Sequence, residues 1–567
     1  MRKNLAYFTI FLLILAYVFR SLLFNLTTHL TDWFDYPYII WVIFQNIQKI
    51  KTLDFTHYFD TNAFYPHKMT LLFSDILLPQ SLIALPFSFF TDNPITVINI
   101  VVILTFVLNY ISSFLFWQQL FKRQIIGFLG ALFTFFSPFF HLHEGYFQMQ
   151  SYWLFFLSLY FLYRHEEEEK TKYLILVAIF LSLQFLASVY LSIFLIAVIF
   201  IFYFCGILFK KDIILHLKKL ALIIILFVLI DGVFIKGYFD MKEMYKVKRD
   251  YGEYVSYSAH LSDYLFTTNI NSLIHQSSAM GRWNRFDKHM IGAKAAFPGF
   301  LLFFLFTFGL IPYLKIKRKI DINLDLNEER SLFLILVLTG LAFSLGPILS
   351  FNGVYGQIPT PYTLLIKLPV LGVMRSPSRW SFIFYLGIIY FALYFIKKLN
   401  LQKRYNQLLI VVIVVFFILE YMPINIKTHQ ENYLSDDYKI LKTICNKEKK
   451  VVLELPVTHF GVKSKSGIAG GLNYITKTQL ASLYHGCYLV NGYSGYDLPE
   501  LIKLDISISQ YLKERNYKLL VAELKKLRVD YVKVKYDLIN LSNNNLRREL
   551  SIYNGLKGVA SSTFSIY

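Results

Sequence analysis

The sequence predicts an α-helical, polytopic membrane protein of about eleven spans, followed by a C-terminal α/β domain outside the cytoplasm. Three observations point there. Of 567 residues, 56% are hydrophobic and 18% aromatic, with a mean hydropathy of +0.47. Charged residues make up 17%, against about 25% in soluble domains; a soluble fold has nowhere to hide that much apolar surface, whereas a bilayer accepts it. The basic residues also gather in alternate loops between apolar runs. The net charge of +20 therefore reads as topology signal and solvated surface, and nucleic-acid binding is set aside.

A bilayer core takes about 20 apolar residues per helix. Runs of that kind fall near 4–25, 97–121, 124–142, 149–164, 171–187, 188–208, 215–236, 297–316, 331–350, 378–397 and 406–424. The first follows MRKN and has no small-residue cleavage site, so it reads as a retained signal anchor. Basic clusters at Arg2-Lys3, Lys122-Arg123, Arg164 with Lys170 and Lys172, Lys210 to Lys219, Lys315 to Lys319 and Lys397 to Arg404 all fall on one side, the cytoplasmic one. The stretches 26–96, 237–296, 351–377 and everything after 424 then face outward. Residues 75–91 are apolar but short and contain Pro79 and Pro86; counting them as a span would invert everything downstream. The prolines interrupt them, and they read as a broken helix lying at the interface or dipping partway in.

This divides the chain into a transmembrane domain, 1–424, and an outer domain, 425–567. In the latter, a helical stretch near 434–445 precedes a buried strand, VVLELPV (451–457), and a second near 508–527 precedes an alternating strand, VDYVKVKY (529–536). Between them HGCYLVNGYSGYDLP (485–499) reads as a structured loop. The three cysteines have no metal-ligand spacing. Cys205 lies in an apolar run; Cys445 and Cys487 share the outer domain and could pair in an oxidising compartment, although two free thiols are the expectation.

Candidate chemistry sits at the outer edge. In TDWFDYPYIIW (31–41), Asp32 and Asp35 are three apart and would share a face if both were helical. A partly desolvated carboxylate there could take a proton from a hydroxyl nucleophile or bind a divalent cation; the plainer role is a helix cap. Asp60, His67 and Asp75 follow in FDTNAFYPHKMTLLFSD (59–75), Asp75 being placed to cap the helix after it. His141, His143, Glu144 and Gln148 of HLHEGYFQMQ could line a polar cavity or be solvated loop. In MRSPSRW (374–380), Arg375 and Arg379 could grip a phosphate, guanidinium forks matching its oxygens, or simply reach for headgroups. Arg282, Arg285, Lys288 and Lys294 are further candidates, and Asp231 stands near the outer end of its span, lining a cavity or reaching the interface. The sequence contains no GxxxxGK[ST] loop, GxSxG elbow or HExxH pair.

The order of FDYPYIIW (34–41), FDTNAFYPHKMTLLFSD, FSPFFHLHEGYFQMQ (136–150), FPG (297–299), LPVLGVMRSPSRW (368–380), LELPV and HGCYLVNGYSGYDLP resembles the C-type glycosyltransferase superfamily, and within it the bacterial YfhO-like multi-spanning proteins. The resemblance implies an enzyme of the bacterial inner membrane, N-terminus cytoplasmic, that moves a sugar from a polyprenyl-phosphate donor to a glycan, lipid or protein acceptor. Asp35 would be the catalytic base, Asp32 its helper, and Arg375 and Arg379 the holders of the lipid phosphate. Alternatives are a flippase for lipid-linked glycans and a non-catalytic envelope scaffold. A flippase would show repeated halves and broken helices at mid-membrane; no repeat is visible, and the polar residues cluster at the outer edge.

Overall fold

The computed structural model describes residues 2–32, 35–141, 145–210, 212–266, 272–284, 296–311, 314–316, 322–324, 328–368, 372, 374–399, 403–432, 434–458, 467–535, 559–560 and 564–566. It is mostly helical, and it is a multi-pass membrane protein. Five helices are long and apolar enough to cross a bilayer: Pro94–Phe121, Val189–Phe209, Ile213–Tyr245, Pro377–Lys398 and Arg404–Tyr421. Shorter helices occupy the other apolar runs, including Arg2–Val18, Gln124–Phe136, Trp153–Glu168, Thr171–Ala187, Phe300–Leu310 and Glu328–Ser344.

The chain forms two compact units, both discontinuous in sequence. The first comprises Met1–Phe24, Val102–Val233 and Lys248–Lys427. Its packing relies on close helix approach at small residues. A Cβ on Gly340 would meet the backbone N of Phe384 at 2.2 Å, and one on Gly387 would meet the carbonyl of Phe333 at 2.7 Å, so Glu328–Ser344 lies directly against Ser381–Lys398. Phe333 stacks on Tyr390 at 3.9 Å and Phe343 meets Trp380 edge-on at 4.9 Å, which sets the two helices side by side over most of their length. Asp231 is fully buried in this unit.

The second unit comprises Asn25–Val101, Phe234–Val247 and Thr428–Tyr567. Its sheet is centred on Val451–Leu455, buried on every residue, with Tyr488–Leu489 and Tyr531–Lys535 parallel on either side. Phe564–Ile566 pairs antiparallel beyond Tyr531–Lys535, followed by Val559–Ala560. Parallel strands need covered faces and crossovers; helices Gly467–His485, Pro499–Glu514 and Tyr517–Lys526 lie between the strands in sequence, and Asp436–Cys445 precedes the first of them. The expected single helix near 508–527 is two, because Arg515 takes a left-handed conformation (φ 55°) and Asn516 caps the next helix through Leu519 N–H.

Two further expectations are corrected here. Residues 75–91 contain one ten-residue helix, Leu78–Phe87, that its prolines do not break: Pro79 falls in the first turn, where no amide is required, and Pro86 next to the end. Cys445 and Cys487 form a disulfide, with Cα atoms 5.4 Å apart, instead of two free thiols; Cys205 is the buried free cysteine. The sheet brings the end of Asp436–Cys445 beside the residue preceding Tyr488–Leu489, a proximity that a separation of 42 residues conceals.

Candidate active site

Within the second unit, the Asp35–Thr52 helix opens on Asp35, an acidic residue suited to the positive end of the helix dipole. Asp32 precedes the helix, so the pair does not share a helical face. Its Oδ2 accepts the Asp35 N–H at 2.7 Å, a capping role, and this leaves the Asp35 side chain to other partners. The Tyr493 hydroxyl donates to Asp35 Oδ1 at 3.1 Å. Tyr38, one turn along the same helix, meets the Tyr493 ring edge-on at 5.5 Å. Burial pushes the Tyr38 hydroxyl well above its usual range, the charges of Asp75 and Asp35 add to this, and a bond with Ser74 works against it. Asp75 therefore faces the same tyrosine as Asp35. It does not cap Leu78–Phe87, whose N-cap is Leu77 without a side-chain bond.

Tyr493 reaches Asp35 because two distant segments join. The Leu489 N–H donates to Asn62 O at 2.7 Å, Tyr65 N–H to Leu489 O at 2.9 Å and Phe64 N–H to Asn491 O at 3.1 Å, so 62–65 and 489–491 pair like strands. The Asn62 side-chain carbonyl accepts from Trp41 Nε1 (3.1 Å) and Gln45 Nε2 (2.8 Å), while its amide donates to Ser482 Oγ (3.1 Å), tying the Asp35 helix to Gly467–His485. Gly492 packs on Phe64, whose ring would stand 2.4 Å from any Cβ placed there. Asn491 then bonds the strand: its Oδ1 accepts Glu454 N–H at 2.7 Å and its amide donates to Glu454 O at 2.8 Å. Tyr493 N–H donates to Gln479 Oε1 at 2.8 Å, which fixes the ring over Asp35.

Beneath this loop lies a buried ion cluster. Glu454 and Lys533 are register partners on adjacent parallel strands. Lys533 Nζ lies 3.0 Å from Glu454 Oε2 and 2.6 Å from Asp437 Oδ2, over the ring of Tyr438. All three charged groups are buried. Burial opposes the Lys533 charge, but Glu454, Tyr438 and Asp437 outweigh it and hold its ammonium above the usual range. His485, stacked on Tyr438, is driven down to about 3 by burial and by Lys533, so it is neutral.

The expected arginines lie in the first unit. Arg375 is 3.6 Å from Glu253 Oε1 and sits over the Tyr257 ring. Glu253 also takes Arg249 at 3.2 Å, so one carboxylate serves two guanidiniums. Arg379 is half-buried between the rings of Tyr146 (4.9 Å) and Tyr190 (4.5 Å), and its guanidinium has no carboxylate partner among the described residues. Planar guanidinium forks of this kind match the oxygens of an anion. Gln148 is half-buried in the short helix Phe147–Gln150. His143 and Glu144 lie outside the described residues, as do Arg285, Lys288 and Lys294; Arg282 is exposed. Among the described residues no group of three or more His, Cys, Asp or Glu is gathered to hold a metal.

Tyr493, Tyr38, Arg249 and Glu253 were not singled out from sequence. Tyr38 had a signal, its three-residue spacing from Asp35 on one helix. Arg249 stood in the basic run KVKR (246–249); Tyr493 had no local signal, since only tertiary pairing brings it to Asp35.

A family model described as "Domain of unknown function (DUF6311)" matches residues 6–419. No curated protein matches the sequence. Among solved structures, the arabinofuranosyltransferase AftD from Mycobacteria aligns with a TM-score of 0.57 at 13% identity, over 99% of this chain and 37% of that one. The archaeal oligosaccharyltransferase AglB from Archaeoglobus fulgidus, solved in complex with an inhibitory peptide and a dolichol-phosphate, aligns with a TM-score of 0.49 at 12% identity over 94% of this chain and 69% of that one. The fold is that of the C-type glycosyltransferases.

Proposed function

We propose that this chain, which belongs to the family described as a domain of unknown function, DUF6311, is a membrane glycosyltransferase that moves a sugar from a polyprenyl-phosphate donor to a glycan, lipid or protein acceptor of the envelope. The single observation that carries the reading is the Asp35 carboxylate, held at a helix start by Asp32 and oriented by the Tyr493 hydroxyl, in a C-type glycosyltransferase fold. Asp35 takes the proton of the acceptor hydroxyl as that oxygen attacks the anomeric carbon. Attack on the face opposite the phosphate inverts the anomeric centre. Arg375 and Arg379 bind the donor phosphate and stabilise its charge as it departs.

The topology that supports this chemistry has eleven spans, a cytoplasmic N-terminus and residues 425–567 outside. A disulfide between Cys445 and Cys487 supports an oxidising compartment for that segment. The test is turnover by the purified protein in proteoliposomes with radiolabelled polyprenyl-phosphate sugars and a panel of acceptors. Release of polyprenyl phosphate with one donor is the expected result. If folded protein turns over none of them but moves a lipid-linked glycan across the bilayer, the flippase reading replaces this one.

A further inference from the structure

From Ser331 to Ile366 the sequence carries no charged residue, although it leaves the Glu328–Ser344 helix at Ser344. Past that helix come an antiparallel hairpin, Ile348–Phe351 with Val354–Pro359, and the short helix Tyr362–Ile366. These elements are not folded inward. Phe351 is 53% exposed, Val354 71%, Tyr355 46%, Ile358 64% and Leu364 66%. The hairpin is nevertheless held in place: Asn352 N–H donates to Ser262 Oγ at 2.9 Å, Gly353 N–H to His260 Nδ1 at 3.0 Å, and Thr360 N–H to Pro347 O at 3.0 Å. A fixed, uncharged element with five large apolar side chains facing out needs an apolar cover.

Chain length says what that cover is. Glu328–Ser344 packs along Pro377–Lys398, one of the helices able to cross the membrane, and its last turn is level with that helix's start, Phe343 against Trp380. Ile348 follows Ser344 by four residues, a reach of at most about 14 Å. The hairpin thus begins within headgroup distance of the membrane boundary. We propose that the hairpin 348–359 and the helix after it form a lipid-binding element that lies in the interfacial layer of the leaflet where Glu328–Ser344 ends. Its depth is limited by its own backbone: a two-stranded hairpin leaves outer-edge N–H and C=O groups unpaired, which the hydrocarbon core does not tolerate and the hydrated interface does. Tyr355 next to the hairpin turn and Lys367 just past the helix suit that layer. The inference rests on Glu328–Ser344 being membrane-embedded and not on the transfer reaction.

The experiment places an environment-sensitive fluorophore on Val354→Cys, Ile358→Cys and Leu364→Cys, one at a time, in full-length protein in phosphatidylcholine nanodiscs. The native cysteines are disulfide-bonded or buried, so only the new thiol reacts; the three side chains are exposed, and size-exclusion profiles confirm folding. The expected result is blue-shifted emission, quenched at least twofold by lipid labelled at acyl carbon 5 and less by label at carbon 12. Quenching by aqueous iodide with no effect of either lipid would place the element in water and overturn the proposal. Protection from both would mean a protein partner or a second copy, and stronger quenching at carbon 12 would mean full insertion; either also overturns it.

Discussion

Lys533→Met tests how the loop carrying Tyr493 is supported. The substitution nearly preserves side-chain volume but removes the cation between Glu454 and Asp437, which lie 3.0 Å and 2.6 Å from the ammonium. Both carboxylates are buried, and breaking such a cluster from one side costs about 3–5 kcal/mol because an uncompensated charge remains. At 1.36 kcal/mol per factor of ten, that is at least about a hundredfold loss of protection from hydrogen exchange in Val451–Leu455 and Tyr531–Lys535. The pH dependence gives a second signature. Burial opposes the charge of Asp437, but Lys533 outweighs it and lowers its pKa, so its contribution is present above the unfolded value and lost as pH falls through the folded one. The raised Lys533 contributes fully below its unfolded value and loses its contribution as pH rises through the folded one. Wild-type protection should therefore be flat between roughly pH 5 and pH 10 after correction for intrinsic exchange. In the variant burial is no longer offset by Lys533 at Asp437, whose stranded carboxylate must take up a proton, so protection should rise as pH falls from 8 to about 5. A variant with wild-type protection, or one with no pH slope, would remove Lys533 from the support of this loop.

Tyr493→Phe removes the donor to Asp35 Oδ1; a bond to a charged acceptor is worth about 1.5–3 kcal/mol, so the acid limb of kcat/KM should move up by roughly one to two pH units, and an unmoved limb would remove Tyr493 from the site. Cys487→Ser opens a closure of 42 residues and should lower stability by about 4 kcal/mol on the chain-entropy account, as reductant should in the wild type; equal melting of all three samples would contradict it. Gly340→Leu forces the Glu328–Ser344 helix off Phe384 and should cost about 1–3 kcal/mol, read as earlier thermal aggregation in detergent, whereas Gly232→Leu, with open space around its Cβ, should cost less. Arg379→Ala should raise the KM for donor with little change in the acceptor KM, and Arg379→Lys should not fully restore it, because a point charge cannot replace the fork held between Tyr146 and Tyr190.

Local signals were strong where chemistry is local. The apolar runs located the helices because lipid demands length and composition, and the strands at Val451 and Tyr531 were visible as a buried run and an alternation. The capping alternative was correct for Asp32, whose carboxylate accepts the Asp35 N–H, and incorrect for Asp75. Long-range relations could not be read along the chain. The pairing of 62–65 with 489–491, the Tyr493–Asp35 bond and the Cys445–Cys487 disulfide all join residues far apart in sequence. The second unit draws on three separate stretches, whereas a composition boundary near 425 is a statement about sequence neighbours alone. Backbone detail was equally hidden: a left-handed Arg515 divides one expected helix into two.

Catalysis by Asp35 is settled by the transfer rate of Asp35→Asn beside the wild type, each reconstituted with the same polyprenyl-phosphate donor and acceptor. Asparagine keeps the side chain's size and can still accept the Tyr493 hydroxyl, but it cannot take a proton. Loss of the base should reduce the rate by about 10²–10⁴ with the donor KM little changed. An Asp35→Asn protein that transfers sugar at the wild-type rate would show that the base is another group.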